Sequence, residues 1–117
     1  MSDKQIEKEI QEKNLNAPRI TPDRIDEVIV NKHFFTAADG AYSTDYASAS
    51  NTPLHLLTFC VLELKNGFTV TGESACASPE NFDAEIGNKI AFENAKSKVW
   101  MLEGYLLKQS LHDLEIS

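Results

Sequence analysis

Two apolar segments joined by an Asn-Gly dipeptide constrain this fold more than any other feature of the 117-residue chain. Residues 54–64 are predicted to form one strand, and residues 68–73 a second strand that returns after Asn66 and Gly67. Asn-Gly tolerates the positive φ angles that a type I′ turn requires. The pattern therefore predicts an antiparallel hairpin with a two-residue loop.

This turn also assigns each side chain to one face of the hairpin, because side chains alternate along a strand. One face, which we assign to the longest helix, carries Leu57, Phe59, Val61 and Val70. The opposite face mixes apolar and polar side chains: Leu56, Thr58, Cys60, Leu62, Leu64, Thr69, Thr71 and Glu73. That mixture is too apolar to face water, so we expect the N-terminal helices, a loop or a second subunit to cover it.

Helices are predicted on both sides of the hairpin. Thr21-Pro22-Asp23 supplies an N-cap, a proline and an acid, which favours a helix over residues 22–32. Ser78-Pro79-Glu80 repeats this arrangement before a long helix that starts near residue 79 or 82 and reaches residue 112. Its apolar stripe is Ile86, Ile90, Ala95, Val99, Leu102 and Leu106. We predict an α+β fold, in which an antiparallel sheet of two or three strands packs on this helix.

The N-terminal 17 residues differ in composition from the rest of the chain. Ile6 and Ile10 stand four residues apart among charged residues, which predicts a thin amphipathic helix, frayed or loosely docked. Residues 18–117 have a length that suits one domain.

The charge of the chain excludes several classes of partner. Its 18 acidic and 11 basic residues give a formal net charge of −7. This balance opposes general nucleic-acid binding and binding to anionic membranes.

The longest apolar stretch, about ten residues, is too short to span a bilayer. Two isolated cysteines indicate a reducing cytosol and no zinc set.

Candidate binding residues lie in several segments of the sequence. Residues 37–53 have the small, polar and tyrosine-containing composition of adaptable binding loops, although a solvated loop without a function has it too. Arg19 and Arg24, the only arginines in the chain, are candidates for holding an anion. The single tryptophan, Trp100, either packs on the N-terminal helices or anchors an interface. The full set of predicted ligand or partner residues is Tyr42, Tyr46, Thr71, Glu73, Asn81, Arg19, Arg24 and Trp100.

The sequence does not favour catalysis. Cys76 and His55 could approach each other at the end of the hairpin, but no third group completes a nucleophilic site. Residues 71–74 do not form a phosphate loop, because no glycine-rich run with a following Lys leads into a helix. We predict no catalytic residue, no metal and no cofactor, and a small Cys/His hydrolase stays the weakest alternative.

Five short motifs resemble a known family of small tailed-phage and prophage proteins, the gene 49/gene 66 family. They are Asn66-Gly67-Phe68, Thr71-Gly72-Glu73-Ser74-Ala75, Asn81-Phe82-Asp83, Ile86-Gly87 and Leu102-Glu103-Gly104-Tyr105, and the resemblance covers residues 21–111. Met101 stands where many members have proline, which implies a straighter helix here. The resemblance implies a phage-encoded accessory protein and carries over no activity, cofactor or site residue.

These observations lead to a functional hypothesis with two alternatives. We expect a non-enzymatic, homo-oligomeric accessory protein that binds a host factor or sequesters a small nucleotide-like signal in host takeover or counter-defence. An acidic inhibitor of a host protein is the first alternative, because the surface charge suits a basic partner. The hydrolase mentioned above is the second.

Overall fold

The structure, a computed structural model, describes residues 2–15, 17–45 and 52–116. Within these ranges the elements are α1 (Asp3–Glu12), α2 (Pro22–Val28), β1 (Ile29–Thr36), α3 (Ala37–Ala41), β2 (Leu57–Leu64), β3 (Thr69–Ala75) and α4 (Ala84–Ile116). The strands form one antiparallel sheet in the order β1–β2–β3, and α4 packs on one of its faces. The predicted α+β fold is confirmed, with a third strand and N-terminal helices.

The turn between β2 and β3 has three residues rather than the predicted two. The amide of Leu64 donates to the carbonyl of Phe68 at 2.8 Å, and the amide of Gly67 donates to the carbonyl of Leu64 at 2.9 Å. Gly67 has a φ of 90°, whereas Asn66 is not among the described residues with positive φ. A type I′ turn needs positive φ at both central residues, so the predicted turn is wrong. The observed loop places only its glycine in the left-handed region.

The extra loop residue shifts the pairing of β3 by one position. Cys60 pairs with Gly72, and Leu62 pairs with Val70. All four of these residues are buried on the face that α4 covers, together with Thr58 and Leu64. The predicted pairing placed Val70 on the face of Leu57, Phe59 and Val61, and the shift of one residue places it beside Leu62 instead. The prediction that Val70 faces α4 is therefore confirmed, whereas the prediction that Leu57, Phe59 and Val61 face α4 is wrong.

The contact between α4 and the sheet is made by small side chains. Ala91, Ala95 and Val99 are fully buried along one side of α4. A Cβ atom at Gly72 would lie 2.4 Å from the carbonyl oxygen of Ala91, so the helix backbone touches the strand directly. The predicted stripe is confirmed at Ala95 and Val99. It is wrong at its larger members, which are exposed: Ile86, Ile90, Leu102 and Leu106.

Helix starts follow the capping chemistry, with one exception. The hydroxyl of Thr21 accepts a hydrogen bond from the amide of Arg24 at 3.2 Å, as the predicted N-cap of α2 requires. Ser78 makes no capping hydrogen bond, and Pro79–Asn81 form a 3₁₀ turn instead of the start of α4. The carboxylate of Asp83 accepts from the amide of Ile86 at 3.1 Å, so α4 begins later than predicted.

The N-terminal helix is attached by polar contacts. None of the residues of α1 is buried. The indole N–H of Trp100 donates to the carboxylate of Asp3 at 3.1 Å, and Arg19 forms an ion pair with Glu7. No helix in the described part of the chain is long and apolar enough to cross a membrane.

Candidate binding surfaces

The sheet has a second face, opposite α4, that we call the open face. Its members follow from strand register: Asn31, His33, Phe35, Leu57, Phe59, Val61, Glu63, Thr69, Thr71, Glu73 and Ala75. All of them are described, and none of them is buried. The open face is therefore a regular surface of the sheet that α4 does not cover.

An aromatic pair forms the centre of the open face. Phe35 on β1 and Phe59 on β2 are directly paired, and their ring centroids lie 5.8 Å apart at an interplanar angle of 39°. Phe35 is 39% exposed. Cross-strand aromatic pairs stabilise a sheet, and exposed ones supply rigid contact area to a partner.

Polar and acidic groups lie beside the Phe35–Phe59 pair on the open face. Nε2 of His33 lies 2.9 Å from Oε2 of Glu63. This hydrogen bond, with a second one from the side chain of Asn31, holds the pKa of Glu63 below its ordinary value. Glu73 is exposed at the other side of the face, opposite Phe59. His33 is the only basic residue among the members of the open face, so this surface is acidic on balance.

A groove of about 380 Å³ lies at the tip of the β2–β3 hairpin, and we call it the hairpin-tip groove. Its lining comes from α2, the hairpin and α4: Arg24, Val28, Leu64, Lys65, Asn66, Phe68, Leu102, Glu103, Tyr105, Leu106 and Gln109. Nε of Arg24 lies 3.5 Å from Oε1 of Glu103, whose side chain is only 9% exposed. The walls include aliphatic and aromatic side chains from all three elements, and the charged groups are Arg24, Lys65 and Glu103.

The predicted site residues are distributed over separate parts of the molecule. Thr71 and Glu73 share the open face, and Arg24 lines the hairpin-tip groove. Arg19 is bound to Glu7 and to the carbonyl of Leu15, which lies 3.3 Å from its guanidinium.

Three more of the predicted residues lie on other elements, and one lies beyond the described ranges. Tyr42 caps the end of α3 and is half-buried, whereas Asn81 ends the 3₁₀ turn and is exposed. Trp100 is half-buried and bonded to α1 through Asp3. Tyr46 lies outside the described residues. As a binding set, the eight residues stay a prediction.

Sequence reasoning missed the residues that form the centre of the open face. The predicted helix over residues 22–32 is wrong beyond Val28, because Ile29 and the residues after it belong to β1, whose pairing brings Phe35 beside Phe59. His33 and Glu63 were not singled out, since they meet only through the pairing of β1 with β2. An extended segment rich in β-branched and aromatic residues, 29–36, was the available signal.

The two cysteines differ in their surroundings. Cys60 is buried, and burial raises the pKa of its thiol, although Lys32 opposes the shift. Cys76 is half-buried, and its Sγ lies 3.2 Å from the carbonyl oxygen of Ser78. Both are free thiols. Among residues 2–15, 17–45 and 52–116, no group of three or more His, Cys, Asp or Glu side chains is placed to hold a metal ion.

The family of the chain follows from comparison of its sequence with known protein families. A family model, described as the phage protein (N4 Gp49/phage Sf6 gene 66) family, matches residues 20–111, and the chain belongs to this family. No curated protein matches the chain, and no solved structure matches it.

Proposed function

We propose that this phage protein acts without catalysis, by binding a host protein in the bacterial cytoplasm through its open face. The observation that carries this proposal is the Phe35–Phe59 pair, which lies on the open face with Phe35 39% exposed and Phe59 half-buried. Aromatic anchors surrounded by polar groups are typical of the centres of protein interfaces. The partner would present aliphatic or aromatic side chains to these rings.

Charge indicates the kind of host protein. The open face carries Glu63 and Glu73, and the only basic residue on it, His33, is already paired with Glu63. The whole chain has a net charge of −7. A basic partner would be attracted to this surface at long range and held by Glu73 at short range. The proposal therefore favours inhibition or diversion of a basic host protein.

Sequestration of a small nucleotide-like signal is a second candidate, which the volume of the hairpin-tip groove favours. The guanidinium of Arg24 would be its anion-binding group. It already lies 3.5 Å from Glu103 and 3.9 Å from Glu27, so two carboxylates compete with any anionic ligand. Host-protein binding is therefore the better-supported function.

The test is affinity capture from host lysate followed by titration with the purified captured protein. Phe35→Ser and Glu73→Lys should each weaken binding about tenfold or more, because hot-spot residues dominate interface energies. Ile86→Ser is the matched control, since Ile86 is 56% exposed on α4 and lies off the open face. Equal binding by all variants would contradict the proposal. Native mass spectrometry of the same preparations would detect a retained small molecule, which would support sequestration instead.

A further inference from the structure

The C-terminal end of α4 extends beyond the sheet. The helix has 33 residues, about 50 Å at the usual rise, whereas β2 has 8 residues. Glu103 is the last buried residue of α4 in the described part of the chain. We call residues 104–115 the arm. The arm continues a helix that is already packed on the sheet, and it exposes large apolar side chains beyond that sheet, among them Tyr105, Leu106 and Leu114.

The arm continues the wall of the hairpin-tip groove. Tyr105 and Leu106 are 73% and 55% exposed, and both line the groove. Phe68, on the opposite wall, is 57% exposed. A single chain thus leaves a contiguous apolar patch in water, and patches of this kind commonly mark interaction sites.

The groove and the arm differ in the balance of their charges. The groove lining carries Arg24, Lys65 and Glu103, and the arm carries Lys108, Asp113 and Glu115. Lys65 lies at the hairpin tip with its Nζ 3.2 Å from Oε1 of Glu27, and its side chain stays 64% exposed. Asp113 lies on the groove side of the arm, because its Oδ1 accepts a hydrogen bond from Nε2 of the groove-lining Gln109 at 2.9 Å. The arm therefore combines an apolar segment with an acidic group, and the groove combines apolar walls with a basic group.

We propose that two copies of this chain associate through these surfaces, with the arm of each copy lying antiparallel in the groove of the other. In a two-fold dimer both copies use the same surface, so that surface must be complementary to itself. The surface proposed here contains both a groove and an arm, so each copy can supply the arm that the groove of the other copy holds. The two-fold axis passes near Gln109. Leu106 of each copy is then buried against the other arm, and Asp113 of each copy approaches Lys65 of the other.

The first experiment measures the mass of the full-length protein in solution by light scattering and sedimentation over a range of concentrations. We expect a species with twice the 13.0 kDa mass of one chain. Leu106→Glu should raise the dissociation constant about tenfold or more, because it places a charge in the centre of the interface. Met101→Glu is the matched control, since Met101 is 69% exposed on the same helix but does not line the groove. Circular dichroism verifies that both variants are folded.

A charge reversal tests the antiparallel geometry. Lys65→Glu alone and Asp113→Lys alone should each weaken the dimer, and the two changes combined should restore it, because both copies then carry the reversed pair. Lys98→Glu, on an exposed part of α4 away from the groove, should leave the dimer unchanged.

Three results would overturn the proposal. The first is a monomer at every concentration, which would leave the groove to a different occupant. The second is a dimer that resists Leu106→Glu but dissociates in Leu111→Glu, which would place the contact on the other side of the arm. The third is a dimer in which the combined charge reversal is no better than either single change.

Discussion

Gly72 lies directly against the backbone of Ala95: a Cβ atom at position 72 would stand 2.2 Å from the amide nitrogen of Ala95. No side chain can rotate away to relieve this contact, because the nearest atoms all belong to the backbone of α4. The distance between helix and sheet is therefore set by the absence of a side chain at one residue of β3. This relationship also explains why the buried side of α4 consists of small residues.

Replacing this glycine should separate the two layers. We expect Gly72→Ala to lower the free energy of unfolding by about 2–4 kcal/mol, because α4 must shift to admit the methyl group. The matched control is Gly104→Ala, where no atom lies within 4 Å of the added Cβ. That change should stabilise α4 by about 0.5–1 kcal/mol, since alanine favours helix over glycine. Urea unfolding measures both values, and equal effects would contradict the close contact.

Arg24 should stabilise the charged form of the buried Glu103 carboxylate, which lies 3.5 Å from its guanidinium. The side chain of Glu103 is 9% exposed and that of Arg24 is 45% exposed. Arg24→Ala should destabilise the protein by about 1–3 kcal/mol, less than for a fully buried pair because the arginine is partly solvated. Adding Glu103→Gln should recover part of this loss by removing the uncompensated charge. Thermal unfolding at one fixed protein concentration makes the comparison, and a double variant less stable than Arg24→Ala would refute the ion pair.

The two thiols should react at different rates. A thiolate is the reactive form, and burial raises the pKa of Cys60 and also blocks reagent access. We expect an aromatic disulfide reagent to modify one thiol per native chain rapidly and the second only after denaturation. Cys76→Ser should abolish the rapid phase, whereas Cys60→Ser should retain it. Two rapid phases in the native protein would contradict the burial of Cys60.

Glu63 should titrate at a pH below its ordinary pKa of 4.5, because His33 and Asn31 donate hydrogen bonds to its charged form. The depressed pKa of the folded state means that this interaction stabilises the protein fully above pH 4.5. The contribution is lost as the pH falls through the lower pKa of the folded state. A side-chain NMR titration measures the midpoint. His33→Leu should raise it, whereas His112→Leu, on α4, should not change it.

Local chemistry in the sequence predicted several elements correctly. The Thr21-Pro22 cap placed the start of α2, and the apolar segments placed β2 and β3. The predicted strand over residues 54–64 is wrong at its start, because Pro53–Leu56 form a 3₁₀ turn and β2 begins at Leu57. Asn66-Gly67 located the turn, but the same dipeptide fits loops of two and three residues, so it could not determine the register. The register depends on hydrogen bonds across the turn, which residue types alone do not specify.

The open face could not be predicted because it depends on long-range pairing. Ile29 and Val30 suit both a helix and a strand, and the pairing of Ile29 with Leu64 decides between them. Because the predicted helix over residues 22–32 includes the first half of β1, it does not bring Phe35 beside Phe59. The predicted stripe of α4 includes Ala95 but not Ala91, because the requirement for a small residue there comes from Gly72 on another element.

The junction between α2 and β1 contains no loop residue, because α2 ends at Val28 and β1 begins at Ile29. Val28 lines the hairpin-tip groove, and its carbonyl accepts a hydrogen bond from the amide of Lys65 at 2.9 Å. β1 then carries Phe35 to the open face. The chain thus runs without a loop from the groove to the open face, so an occupant of the groove that displaces Val28 acts on the same segment that carries Phe35.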